Sequence, residues 1–315
     1  MSRIEEYVQA ATRDNTRRSY ASAIEHFEVG WGGMLPATAD RVAHYLADYA
    51  DSLSLNTLKQ RLAAIGRWHV EQGFVDPTKA ILVKRTLKGI AELHPHREKQ
   101  AAPLQLAQLE ALDGYWKAQL ELGTATPSET LRILRNRALI LLGFWRAFRS
   151  DELCRLEAQH IEFDTDTGMT LHLVQSKSDR SHGGTTYRCP ALSRLCPVAA
   201  CRAWLNASGI KKGPLFRGVD RWGNFNKTGM HPNSIVPLLR KELAEAGIEA
   251  SRYSSHSLRR GFASWANSND WDIKSLMEYV GWKDVKSALR YVDTADPFMK
   301  RQMEAGLRKT ESEDA

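Results

Sequence analysis

Apolar side chains recur at helical spacing through the first 93 residues. Tyr20, Ile24 and Phe27 repeat every three or four positions, and two further amphipathic patterns follow before Gly73. A fourth pattern begins at Asp76 and Pro77, a pair typical of a helix start because aspartate caps and proline fits the first turn. We found no alternating pattern in this part of the chain. The first third is therefore predicted to be entirely helical.

A polar, basic stretch closed by a proline, residues 94–103 (HPHREKQAAP), then interrupts the pattern. Such a stretch is typical of a linker, so we predict two domains, residues 1–98 and 103–315. Most of the second domain again shows helical spacing. One region alternates instead, with Leu171 and Leu173 before a turn and Tyr187 after it, which predicts a small β-sheet. The predicted fold class is mainly α.

The chain is basic. It contains 44 Lys and Arg residues against 37 Asp and Glu residues, giving a net charge of +7 and a pI near 9.2. The excess is divided between the halves, +2 before Ala102 and +5 from there on. This charge favours an anionic partner without naming it. A protein that grips DNA from two sides would have this distribution, and so would a mildly basic enzyme.

Four cysteines show no paired metal-site spacing. Cys196 and Cys201 lie close together, but no second ligand pair accompanies them, so neither a metal nor a cofactor is predicted. Reduced, mostly buried thiols are the preferred interpretation. The longest apolar stretch, Ala138 to Trp145, is too short to cross a membrane. We therefore expect a soluble, cytoplasmic protein that does not associate with membranes.

One stretch near the C-terminus combines unusual side chains. His256 and Arg259 are three residues apart, which places them on one helix face, and Trp282 and Tyr291 follow. An arginine presents a rigid fork of donors to phosphate oxygens, a histidine can move a proton, and a tyrosine can be a nucleophile. This combination suits chemistry on a phosphodiester better than it suits a packed core.

Two earlier positions complete the pattern. Arg149 precedes Glu152 by three residues in AFRSDEL, and Lys177 lies near the turn of the predicted hairpin. Taken alone, the arginine would be a capping or surface residue, and the lysine a solvated one. In their order and spacing, the AFRSDEL segment, the hairpin lysine, HSLRR, and the later Trp and Tyr resemble the tyrosine recombinase (phage integrase) family. Most members have His where this chain has Trp282; Trp is found there in Cre-like members.

The resemblance implies a role for each position. Tyr291 would attack the DNA phosphate and form a 3′-phosphotyrosyl link, while Arg149 and Arg259 would clamp the phosphate oxygens. Lys177 would protonate the leaving 5′-oxygen, and His256 would deprotonate the tyrosine or hold the phosphate.

Two further positions would support these groups, and no cofactor would be needed. Trp282 would donate an indole hydrogen bond to a phosphate oxygen. Glu152 would orient Arg149 or His256. The two arginines and Lys177 would supply the positive charge, so no metal is expected.

The family resemblance also implies an assembly on DNA. The helical first half resembles the family's core-binding (SAM-like) domain, and with the catalytic domain it would form a C-shaped clamp on duplex DNA carrying a specific site. Candidate DNA contacts on its helices are Lys59, Arg61, Arg67, Lys84, Arg85 and Lys88. Strand exchange would require a homotetramer on two sites. A C-terminal apolar stripe could dock in trans, formed by Met299, Met303 and Leu307.

Two alternatives remain beside a site-specific recombinase. A type IB topoisomerase or a telomere resolvase uses the same chemistry, although this chain is short for a topoisomerase. A catalytically silent DNA-binding regulator belongs to a different class, and it would be expected to lack a catalytic residue. None of the six positions is missing here.

Overall fold

The structure, a computed structural model, describes residues 3, 7, 14–95, 101–164, 167–174 and 184–289. Internal contacts divide the chain into two compact units, Met1–Lys99 and Gln100–Ala315. The predicted linker spans the point of division. Each unit has its own hydrophobic core.

All the regular secondary structure described in the first unit is helical. They are α1 (Asp14–Glu25), continued by a π-helical turn (His26–Gly30), α2 (Ala39–Asp48), α3 (Leu55–Glu71) and α4 (Ile81–Leu93). Ser54 caps α3 by accepting a hydrogen bond from the Thr57 amide. Asp76 and Pro77 start a short 3₁₀ turn instead, and α4 follows it.

A partly buried histidine lies beside the core of this unit. His26 Nδ1 lies 2.9 Å from the Tyr45 hydroxyl, and its ring packs against Tyr49. Burial and the nearby Arg61 guanidinium lower the pKa of His26 below its usual 6.5, because both disfavour the charged ring.

We expect the first unit to lose stability in mild acid because of His26. Since its pKa is lowered in the folded state, the unfolded state binds more protons, so this contribution is present above pH 6.5 and is lost as the pH falls through the folded pKa. An NMR titration of the histidine ring protons, assigned with His26→Gln, should give a midpoint below 6.5. A midpoint at or above that value would contradict the prediction.

The second unit is mostly helical with two small antiparallel sheets. Its helices are α5 (Leu106–Glu121), α6 (Pro127–Trp145), α7 (Ser150–Arg155), α8 (Pro197–Ser208), α9 (Ile235–Glu245), α10 (Ser255–Ser268), α11 (Ile273–Val280) and α12 (Val285–Leu289). Its strands are β1 (Ile161–Phe163), β2 (Gly168–Leu173), β3 (Thr185–Pro190), β4 (Arg217–Val219) and β5 (Phe225–Gly229). The sheet orders are β1–β2–β3 and β4–β5.

The predicted β region is confirmed, and its alternation corresponds to burial. Leu171 pairs with Tyr187, and both side chains face the core. Strand β1 was not predicted. It follows α7, which ends at Arg155, and its three residues pair with β2. Strands β4 and β5 were not predicted, since both are short and half-exposed.

Helix α6 is the central element of this unit. Every residue from Ala138 to Trp145 is buried, as expected for the longest apolar stretch of the chain. The helix begins with a capping box between Thr126 and Glu129. Its C-terminal end leads directly into the link that precedes α7. None of the helices in the described ranges combines the length and the apolar character needed to cross a membrane.

Helix α10 packs closely on the chain before α5. A Cβ added at Gly261 would overlap the Leu104 carbonyl oxygen and lie 2.9 Å from its carbonyl carbon. Leu104 has little room to retreat, because its side chain is fully buried and its amide donates to the Ser257 carbonyl at 2.9 Å.

We expect Gly261→Ala to destabilise the second unit by about 1–3 kcal/mol, the usual cost of overpacking a core. Gly114→Ala in α5 is the matched control. No atom lies within 4 Å of the added methyl there, and a helical alanine gains about 0.5–1 kcal/mol over glycine. Thermal unfolding midpoints of both variants check the prediction. Equal midpoints for the two variants would show that α10 can move away from Leu104.

Candidate active site

Arg149 occupies the N-terminal end of α7. It is the N-cap residue, and Ser150 is the first helical residue. Glu152 Oε2 accepts from the Arg149 backbone amide at 2.7 Å, and Oε1 accepts from Arg149 Nη1 at 2.7 Å. The carboxylate therefore holds this arginine by its backbone and its side chain together.

The second arginine of the predicted site contacts the same carboxylate. Arg259 is 2% exposed, and its Nη1 lies 3.7 Å from Glu152 Oε2 and donates to the Ala147 carbonyl at 2.6 Å. Glu152 is itself 3% exposed, so two arginines share one buried negative charge. The sequence suggested that Glu152 orients Arg149 or His256; in the structure it contacts Arg149 and Arg259.

Ala147 presents its carbonyl from an uncommon backbone conformation. Its φ of 49° lies in the left-handed region, which costs roughly 1 kcal/mol for a residue with a Cβ. Ala147 lies between α6 and α7, and its carbonyl accepts from Arg259. The backbone of the link thus helps to hold the buried arginine.

Helix α10 carries His256 and Arg259 together, as their spacing predicted. Ser254 caps the helix and accepts from the His256 amide at 3.2 Å. His256 lies on the first turn and is exposed, while Arg259 lies one turn later and is buried. A group approaching from solvent would therefore reach the imidazole without displacing the core.

Trp282 lies against the buried arginine. Gly281 ends α11 with φ of 76°, a left-handed conformation that glycine adopts without strain, and the chain turns there. The Trp282 ring centroid is 5.1 Å from the Arg259 guanidinium carbon, which is a cation–π contact. The structure thus brings together Arg149, Glu152, Arg259 and Trp282, with His256 on the same helix as Arg259.

Comparison with known proteins gives this arrangement a family. The model of the phage integrase family matches residues 120–297, more than half of the chain. This chain belongs to the phage integrase family. It is thereby a tyrosine recombinase, as the sequence motifs suggested.

Relatives match this integrase over nearly its whole length. An integrase/recombinase XerD homolog of Selenomonas ruminantium is 28% identical over 300 residues, which are 92% of this chain and 85% of that protein. The tyrosine recombinase XerC of Xylella fastidiosa (strain M23) is 24% identical over 96% of this chain and 92% of its own length.

Solved structures show the same fold. The XerH recombinase bound to its palindromic difH substrate superposes with a TM-score of 0.63 at 18% identity, over 92% of this chain and 78% of that one. The Tn1549 transposon integrase in complex with transposon right-end DNA gives 0.64 at 14% identity, over 96% and 97%. The predicted fold class of this integrase is thus confirmed, mainly helical with a small antiparallel sheet.

Two of the six predicted catalytic residues, Lys177 and Tyr291, lie outside the described residues, as do Met299, Met303 and Leu307. Described elements lead toward both catalytic positions. Strands β2 and β3 flank Lys177 and pair as far as Leu173 and Thr185. Helix α12 is described to Leu289, two residues before Tyr291.

Basic residues of the first unit differ in their exposure. Lys59 and Arg67 are exposed on α3, where Arg67 pairs with Glu71 at 2.5 Å. Arg61 does not share their face: at 100° per residue it lies on the far side of the helix from Lys59, half-buried beside Tyr45. The candidates on α4 are all exposed, namely Lys84, Arg85 and Lys88.

The cysteines of this integrase are free thiols, as predicted. Burial raises the pKa of Cys154 and of Cys189 to about 12. Within the ranges that the structure describes, no group of three or more His, Cys, Asp or Glu side chains is placed to hold a metal ion.

A groove of about 840 Å³ follows β2 and β3 beside the end of α11. Its described lining includes Arg146, Tyr187 and Tyr279 but neither Arg149 nor Arg259. Of the two arginines that contact Glu152, Arg149 is the accessible one: 33% of its side chain is exposed, whereas Arg259 is buried.

Proposed function

We propose that this integrase is a site-specific recombinase that cuts and rejoins duplex DNA through a covalent Tyr291 intermediate. The observation that carries the proposal is the sharing of one buried carboxylate, Glu152, by Arg149 and Arg259. Two guanidinium groups fixed side by side match the oxygens of a phosphodiester.

The chemistry would proceed without an external energy source. Tyr291 Oη attacks the phosphorus, a phosphotyrosyl bond forms to the 3′ end, and the bond to the 5′-oxygen breaks. The phenol proton passes to a base, for which His256 is the candidate, and the Lys177 ammonium protonates the leaving 5′-oxygen. Rejoining reverses these steps with a 5′-hydroxyl as the nucleophile. The roles of Tyr291 and Lys177 rest on the family motifs.

The arginines would stabilise charge that increases during the attack. Arg259 is held by the Ala147 carbonyl and Glu152, so it need not reorganise when the phosphate becomes more negative. Trp282 packs against this arginine and would contact a phosphate oxygen through its indole N–H. His256 is exposed on the same helix and would meet the DNA directly.

DNA binding would involve both units, with residues 1–98 as the core-binding domain and residues 103–315 as the catalytic domain. Exposed Lys59, Arg67, Lys84, Arg85 and Lys88 support phosphate contacts by the first unit, whereas Arg61 is half-buried. XerH and the Tn1549 integrase were solved on their DNA sites. We propose a homotetramer on two sites, with Met299, Met303 and Leu307 docking in trans.

Covalent trapping tests this function. Inverted repeats found in the DNA that flanks the gene are synthesised with a nick beside the cleavage site, so that the short fragment carrying the freed 5′-hydroxyl dissociates. The protein–DNA adduct is then sought on SDS gels. We expect an SDS-resistant adduct whose DNA-linked tryptic peptide covers residues 291–300. Binding without any adduct would contradict the recombinase, and an adduct on a different peptide would contradict the nucleophile.

A further inference from the structure

Arg146 is a buried cation in the link between α6 and α7. It is 3% exposed, and its Nη2 donates to the Tyr279 carbonyl at 2.5 Å. The guanidinium carbon lies 3.8 Å from the Tyr279 ring centroid and 5.1 Å from that of Tyr187. The side chain therefore contacts the C-terminal end of α11 and the middle of β3 at once.

An apolar side chain could fill the space that Arg146 occupies, so packing alone does not require a charge at this position. Among the described residues Arg146 forms no ion pair, so aromatic faces and a carbonyl compensate its charge. Burying a cation costs several kcal/mol, and a well-packed apolar residue of similar volume is often more stable. The guanidinium group constrains geometry instead, because its planar fork of donors fixes both the distance and the orientation of the groups that it contacts.

All four residues of the link, 146–149, contact the proposed site or its supports. Ala147 holds Arg259 through its carbonyl, and Arg149 is held by Glu152. Phe148 packs edge-to-face on Tyr187 with ring centroids 4.9 Å apart. Arg146 is the member that reaches the segment containing Trp282.

The contact with Tyr279 is made where that segment starts. Tyr279 precedes Trp282 by three residues and Tyr291 by twelve. Two cation–π contacts thus hold one turn of chain, Arg146 on Tyr279 and Arg259 on Trp282. The hydrogen bond from Arg146 to the Tyr279 carbonyl sets the distance of this turn from the link, and the ring contacts restrict the rotation of the turn.

We propose that Arg146 is a positioning residue that holds the turn carrying Trp282 in register with the Arg149–Arg259 pair of the proposed phosphate site. The proposal rests on the proposed function for the roles of those residues. Arg146 itself touches no DNA in this scheme and acts through the Tyr279 carbonyl and ring.

Arg146→Met tests the proposal in the full chain. We expect single-turnover adduct formation at saturating protein to slow by roughly 100-fold, because a misplacement of about 1 Å is enough for such a loss. The Kd for the nicked DNA should stay within about twofold of wild type. Arg146→Lys keeps the charge and one donor but loses the planar contacts, so it should restore part of the rate.

Hydrogen exchange supplies a readout independent of catalysis. In Arg146→Met, amides of residues 279–289 should exchange faster, including that of Trp282, which donates to the Met277 carbonyl at 2.8 Å. Amides of α6 and α8 should keep their protection.

Arg135→Met is the matched control. Arg135 is another buried arginine of α6, and its Nη1 donates to the Arg217 carbonyl in β4 at 3.1 Å. Its loss should lower the thermal midpoint while leaving both the adduct rate and the exchange of residues 279–289 at wild-type values.

Two results would overturn the proposal. One is an Arg146→Met protein that forms adduct at the wild-type rate. The other is a proportional loss of DNA binding and adduct with faster exchange throughout the second unit, which would make Arg146 a stability residue only. If the wild-type chain forms no adduct, the recombinase function fails instead, and exchange in the free protein still decides whether Arg146 holds residues 279–289.

Discussion

Tyr291→Phe is expected to bind its recombination site as tightly as wild type and to form no covalent adduct. Phenylalanine keeps the ring and removes only the hydroxyl, so packing and DNA contacts are preserved while the nucleophile is lost. Gel-shift titration measures the binding, and SDS gels on the nicked substrate measure the adduct. The expected loss is complete because no bond can form without the phenol oxygen.

Other tyrosines are poor substitutes for Tyr291. Burial raises the pKa of Tyr45 to about 12, and it also raises the pKa of Tyr187 and of Tyr279. A phenol with a raised pKa is harder to deprotonate. Tyr7→Phe, an exposed tyrosine of the first unit, is the control and should form adduct normally. Adduct formation by Tyr291→Phe would show that the nucleophile lies elsewhere.

Local spacing predicted those parts of the site that lie within one turn of helix. Arg149 with Glu152, and His256 with Arg259, are three residues apart, so helical geometry alone brings each pair to one side. The capping of α3 by Ser54 was predictable for the same reason, since cap and amide are three residues apart. Interactions of this kind need no knowledge of the tertiary fold.

Contacts between distant residues were not predictable from the pattern. The bond from Arg259 to the Ala147 carbonyl spans 112 residues, and that from Arg146 to Tyr279 spans 133. Both depend on how α6, α10 and α11 pack. Arg146 carried no signal in the sequence, because a single arginine after an apolar helix is usually a solvated C-terminal residue. Arg61 was predicted as a DNA contact, and its half-burial beside Tyr45 could not be predicted from the pattern because it also depends on helix packing.

Glu152→Ala is expected to disable cleavage and to destabilise the second unit. The carboxylate is the shared partner of Arg149 and Arg259, and it also accepts from the Arg149 amide. Its removal leaves a buried cation without its counter-charge, a change that costs about 3–5 kcal/mol in other proteins. Cleavage should fall by at least the order of 10²–10³-fold seen when one preorganised charge-stabilising group is lost.

Glu152→Ala should lose cleavage without losing DNA affinity, and this combination distinguishes the variant from a misfolded protein. Removing a negative charge between two arginines makes the surface more positive, so at low salt Glu152→Ala should bind DNA at least as tightly as wild type. Glu152→Gln keeps the shape and one acceptor, and we expect about 1–3 kcal/mol of destabilisation from it. The exposed Glu121→Ala is the control. Thermal unfolding, gel shift and adduct rate together test the role of Glu152. If the arginine pair needs Glu152 for cleavage, the variant must lose cleavage while it still binds DNA.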